Sequence, residues 1–134
     1  MYKMKTAVIV LACLCFIPYL LAFTSAYFRK KQLGRVDNEN PRAQNTQLTG
    51  PGARAVAAQQ NAWEALGLYS ATLLGVVASG VEVVYLAQAA IVVLIARLLH
   101  GIFYLANLDK LRTLSFTVVL ATCFYLFYVV ISGL

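Results

Sequence analysis

The sequence predicts an all-α fold, an integral membrane four-helix bundle, and three observations carry that expectation. Of 134 residues, 61% are hydrophobic and 12% are charged, against roughly 45–50% apolar and about 25% charged in a soluble domain. The apolar residues fall into four stretches, each long enough for the roughly 20 residues a spanning helix needs. Polar and ionisable side chains recur in these stretches, at Arg54, Asn61, Glu64, Arg97, His100, Tyr104 and Arg112. Such groups are costly in lipid and face a bundle interior, a cavity or a bound partner. The length suits a single domain, 1–134, with spans at about 4–28, 54–80, 82–106 and 111–133 and a loop at 29–53.

The first span ends at Arg29-Lys30-Lys31. Lys3 and Lys5 before it and Thr24-Ser25-Ala26 near its end give it some look of a signal peptide, and Val10-Leu11-Ala12-Cys13 loosely resembles a lipoprotein cleavage site. Its apolar stretch outruns the roughly 7–15 residues of a signal core, and a basic stop-transfer cluster follows. It therefore reads as a retained helix, with Pro18 as the place for a kink. Residues 29–53 form one long polar connection, in which Asn40-Pro41 and Gly50-Pro51-Gly52 read as turn signals that stop a helix from running through.

The second span carries Gly67, Ala71, Gly75 and Ser79 at four-residue spacing, a pattern that lets helix backbones approach closely in lipid. The third follows a very short turn. Asn107-Leu-Asp-Lys110 leads into the fourth, where Phe116, Phe124, Tyr125, Phe127 and Tyr128 read as packing residues and interfacial anchors. Trp63 and Tyr69 read as lipid-facing or packing residues.

The net charge of +6 sits beside apolar segments, which suits topology control and anionic headgroups of membrane lipid rather than nucleic acid. Arg29, Lys30, Lys31, Arg35, Arg42, Arg54, Lys110 and Arg112 flank the first and third loops, while the other side has only Lys3 and Lys5. The positive-inside rule thus puts loop 29–53 in the cytoplasm and both termini on the opposite side. Cys13, Cys15 and Cys123 lie in apolar runs without metal spacing, so they read as small hydrophobes and no metal site is expected.

At about 100° per residue, Arg54, Ala57, Asn61, Glu64 and Leu68 share one stripe of the second helix, and Arg97, His100 and Tyr104 share one on the third. With Arg112 at the start of the fourth, these groups converge at one depth near the cytoplasmic surface. For Arg54 and Arg112 the bland alternative is snorkelling to headgroups. For Glu64 and Arg97 it is a structural ion pair between helices, and for His100 a satisfied packing role.

With Asn61-Ala-Trp-Glu64 in the second span, Arg97-Leu-Leu-His100 then Tyr104 in the third, and Arg112 after it, the chain resembles the MAPEG family, the membrane-associated proteins in eicosanoid and glutathione metabolism. The resemblance covers nearly the whole chain, and the run Arg-Ala-x-Ala-Ala-Gln-Gln-Asn-Ala-x-Glu is similar to the family's bacterial branch. It implies a homotrimer of four-helix bundles, a bacterial inner membrane, and glutathione as co-substrate in a cleft between neighbouring subunits. The implied activity is a glutathione transferase or peroxidase acting on a lipophilic small molecule. Glutathione carries two carboxylates, an ammonium and a thiol, so its site needs cations, a carboxylate and a thiolate stabiliser. The resemblance assigns the tripeptide's carboxylates to Arg54 and to Arg29 or Lys30. It assigns hydrogen bonding to Asn61, the ammonium to Glu64, and the cleft wall to Arg97, His100 and Tyr104. Arg112 is the expected catalytic residue, stabilising the thiolate, with Ser115 nearby as the alternative. One departure is Ala57, where glutathione-using members commonly carry an arginine. That departure supports a second expectation, a non-catalytic trimer of the same fold. A third, a small four-helix drug exporter, is disfavoured because the first span has no acidic residue.

Overall fold

The computed structural model describes residues 2–134. All regular structure among them is helical: α1 (Tyr2–Leu33), α2 (Pro41–Asn45), α3 (Gly50–Ser79), α4 (Leu86–Leu105) and α5 (Asp109–Gly133). α1, α3, α4 and α5 are each long and apolar enough to cross a membrane. The expected four-helix membrane bundle is therefore the observed fold.

The helices pack as a skewed square. α1 lies against α3 and α4, and α5 lies against the same two. α3 and α4 meet across one diagonal, whereas the backbones of α1 and α5 stay apart. Each helix turns a single stripe inward, spaced by three and four residues as the helical repeat demands. On α1 the stripe is Ala7, Val10, Leu14, Ile17 and Leu21; on α5 it is Val119, Cys123, Leu126 and Val130. α3 contributes mostly alanines, Ala55, Ala58, Ala62 and Ala65, which let its neighbours come close. Tyr69, 1% exposed, donates its hydroxyl to the Ala7 carbonyl at 3.1 Å, so the polar end of a buried ring is satisfied. The outward faces remain apolar, with Phe16, Leu20, Phe23, Leu74, Phe124, Tyr128 and Ile131 exposed, as a bundle surrounded by lipid tails requires.

Several boundaries differ from the sequence expectation, for identifiable reasons. α1 continues through Pro18 and beyond the basic cluster to Leu33. Pro41 and Pro51 start helices rather than stop them, each lying in the first turn of α2 or α3. A first-turn N–H has no intrahelical partner to lose, so proline fits there. The second connection is longer than a tight turn: α3 ends at Ser79, capped by Gly80 in the left-handed region (φ 67°), and α4 starts only at Leu86. Within it, Glu82 accepts from Lys3 at 2.9 Å, tying the start of α1 to this loop. The lysine also holds the Glu82 carboxyl below its ordinary pKa.

The long polar segment is ordered by two glutamines acting as surrogate backbone. Gln32 donates to the Thr49 carbonyl and accepts from its N–H, both at 3.1 Å. The buried Gln44 accepts from the Asp37 N–H and donates to the Arg35 carbonyl, both at 2.8 Å. Asp37 in turn accepts from the N–H groups of Asn40 and Glu39, which lowers its carboxyl pKa. The small-residue stripe of α3 splits between faces. Gly75 admits the ring of Phe127, which a Cβ there would approach to 3.3 Å, whereas Gly67 and Ala71 face outward.

Candidate functional site

The polar groups anticipated on α3, α4 and α5 meet near the end of the bundle that carries the first and third loops. Asn61 lies between Arg97 and Glu64. Arg97, 2% exposed, donates through a terminal guanidinium nitrogen to Asn61 Oδ1 at 3.0 Å, and Asn61 Nδ2 donates to Glu64 Oε2 at 3.3 Å. The direct Glu64–Arg97 ion pair, the bland alternative for these two residues, does not form. The amide sits between the two charges and relays them, and the Glu64 side chain stays exposed. Among the described residues, the sole ion pair within 4.0 Å is Lys3–Glu82, at the other end of the bundle.

On α4, His100 follows Arg97 by one turn and Tyr104 follows by another. The His100 ring meets the Tyr104 ring edge-on, with centroids 5.5 Å apart. His100 is 2% exposed, and its Nδ1 has no hydrogen-bond partner among the described residues. A buried polar atom left in that state is uncommon. The turn after Tyr104 brings α5 back sharply. Asn107 takes a positive φ of 60°, and its N–H donates to the Tyr104 carbonyl while that of Leu108 donates to the Phe103 carbonyl. These two bonds form a Schellman cap with asparagine in the left-handed position. Arg112 then lies in the first turn of α5, with its guanidinium carbon 4.5 Å from the centre of the Tyr104 ring.

Asn61, His100, Tyr104 and Arg112 line an open cleft of about 210 Å³ with Thr113 and Phe116. The last two were not anticipated. The Thr113 hydroxyl is committed to the Asp109 carbonyl at 3.0 Å, and Phe116 sits one turn beyond Arg112, a spacing that marks it as a cleft residue once Arg112 is accepted as one.

The other anticipated residues lie apart from this cleft. Arg54 donates through Nε to the Leu105 carbonyl at 3.2 Å, capping the end of α4. Arg29 is the last residue of α1's buried stripe, 9% exposed, with Nε and one terminal nitrogen lacking partners among the described residues, while Lys30 beside it is exposed. Ser115 donates to the Arg112 carbonyl at 2.9 Å and lines a separate apolar groove of about 250 Å³ with Val92, Ile95, Leu99, Phe103 and Leu114. The described residues contain no cluster of three His, Cys, Asp or Glu side chains suited to a metal ion.

The cleft thus offers a cation without a carboxylate partner, a phenol, an imidazole and an amide held in a fixed orientation. Such a set is chemically suited to a small anionic or strongly polar molecule. Among curated proteins and among solved structures, no match was found for this chain. The model of the MAPEG family matches residues 6–132, nearly the full length, and this integral membrane protein belongs to that family.

Proposed function

We propose that the protein is a glutathione-dependent membrane transferase or peroxidase acting on lipophilic electrophiles. Family membership supports glutathione-related membrane chemistry at the family level. The observation that carries the reading is Arg112, a guanidinium beside an open cleft that no carboxylate neutralises. A free cysteine thiol has a pKa of about 8.5, and a fixed cation beside it favours the thiolate, the nucleophilic form. The thiolate sulfur attacks the electrophilic carbon, an S–C bond forms, and the leaving group departs with its electron pair. Arg112 rather than Ser115 takes the role, because Ser115 lines a different groove and its hydroxyl is bonded to backbone.

In this reading Asn61 and Glu64 hold the γ-glutamyl end, with Arg97 behind them fixing the amide, and His100 and Tyr104 form the wall. Arg29 and Lys30 lie outside the cleft of their own chain, which fits their service to a neighbouring subunit's tripeptide in a homotrimer. Anionic glutathione or lipid would also satisfy the unpaired donors of Arg29. The run from Arg54 to Glu64 favours a bacterial-type member in an inner membrane, and the charge distribution favours loop 29–53 in the cytoplasm with both termini opposite.

A second reading, a non-catalytic trimer, draws on Ala57 and on the fact that Arg54, its nearest substitute, bonds the Leu105 carbonyl. Thermal unfolding in detergent with millimolar reduced glutathione, against oxidised glutathione and glutamate, separates the two. Ligand at a hundred times its Kd adds about 2.7 kcal/mol to the folded state. The enzyme reading expects that rise, its loss in Glu64→Ala, and a retained rise with at least tenfold lower turnover in Arg112→Ala. No shift with reduced glutathione would favour the second reading.

A further inference from the structure

The Arg112 guanidinium has two candidate partners. Asp109 lies three residues before it in the same first turn of α5, the spacing at which opposite charges on a helix meet. Yet no Arg112–Asp109 ion pair forms, and the guanidinium lies 4.5 Å from the centre of the Tyr104 ring. We propose that Tyr104 is a positioning residue for Arg112: its ring holds the guanidinium at the cleft and, being uncharged, leaves the positive charge available to an incoming thiolate. The proposal rests on the glutathione reading for the identity of the anion, though not for the contact itself.

Three features build this support. The ring faces a cation, an attraction that does not cancel net charge as a carboxylate would. The His100 ring, buried on α4, stands against Tyr104 edge-on at 5.5 Å and backs it from the protein side. The Schellman turn at Asn107 fixes the path from Tyr104 to α5, so the approach of the two side chains is set by backbone as well as by their own attraction. An ion pair with Asp109 would instead leave the site nearly neutral and weaken its hold on a thiolate.

The contact makes Tyr104→Phe conservative and Tyr104→Leu disruptive, because the ring and not the hydroxyl faces Arg112. Two measurements on detergent-purified full-length protein test this. One is the pH titration of bound glutathione's thiolate ultraviolet absorbance. The other is the rate at which phenylglyoxal modifies Arg112, read by peptide mass spectrometry. Tyr104→Phe should match the parent in both. Tyr104→Leu should move the titration midpoint up by about one unit toward the free-thiol value of about 8.5, a roughly tenfold smaller acid dissociation constant. It should also speed Arg112 modification several-fold, with glutathione affinity changed much less. If Tyr104→Leu does not fold, Tyr104→Met removes the ring while keeping comparable reach.

Parent-like behaviour of the ringless variants in both measurements overturns the proposal. So does a Tyr104→Phe protein that behaves like Tyr104→Leu, since the hydroxyl would then be the active part. A parent protein that binds no glutathione sinks the functional reading instead. Arg112 reactivity then decides alone: ring-dependent rates uphold the positioning role and ring-independent rates overturn it.

Discussion

Asn61 accepts from Arg97 and donates to Glu64, and both bonds are possible only with its amide in one orientation. Replacing it with alanine removes the acceptor that a nearly buried guanidinium uses, and an unpaired buried donor costs about 1–3 kcal/mol. Asn61→Ala should therefore lower the Tm of the protein in detergent, even without ligand. An unchanged Tm would mean that Arg97 finds another acceptor at no cost. At this scale the sequence was informative about which residues approach each other, because the 3.6-residue repeat puts Asn61 and Glu64 on one stripe and Arg97, His100 and Tyr104 on another. Partner choice was not legible. Opposite charges at Glu64 and Arg97 suggested a direct pair, whereas the shorter amide is interposed between them. The stacking of Arg112 on Tyr104 was equally hidden, since it depends on the path of the turn at Asn107.

That turn belongs to the helices it joins. Asn107 at φ 60° ends α4, and asparagine tolerates this left-handed conformation better than most side chains. Asn107→Val places a β-branched residue there and should cost about 1–3 kcal/mol, while Asn107→Gly should match or exceed the parent. Thermal unfolding measures the cost, and glutathione turnover should fall in the valine protein as Arg112 shifts away from Tyr104. Equal stability of the two variants would show that the turn is not under backbone strain. Four apolar helices were legible from length and hydropathy, whereas their ends were less so. Pro41, Pro51 and Gly50 carry the same local signal whether they close a loop or open a helix, and the residues C-terminal to them decide between the two. The third span was expected to begin at about Glu82 after a very short turn, but the left-handed Gly80 and the Lys3–Glu82 bond hold residues 82–85 outside α4.

Across the whole molecule, α3 and α4 form the shared centre, and α1 and α5 dock on either side with their backbones apart. The polar cleft occupies one end of this arrangement, while the Lys3–Glu82 pair marks the other. Among the described residues, the longest connection between spanning helices is the segment between α1 and α3, and its two glutamine clamps bear on how the chain survives in a cell. A trypsin-like protease must draw an extended strand into its active site and attack the carbonyl after a basic residue. At Arg35 that carbonyl already accepts a hydrogen bond from Gln44, at 2.8 Å. The bond from the Gly34 N–H to the Lys30 carbonyl holds the chain just ahead of it. In inverted membrane vesicles, where the proposed orientation faces this loop outward, the parent should resist trypsin at Arg35, and Gln44→Ala should be cut there several times faster. Vesicles of the opposite sense should protect both proteins. Two uncharged amides would then lengthen the chain's half-life, by withholding its longest linker from proteases.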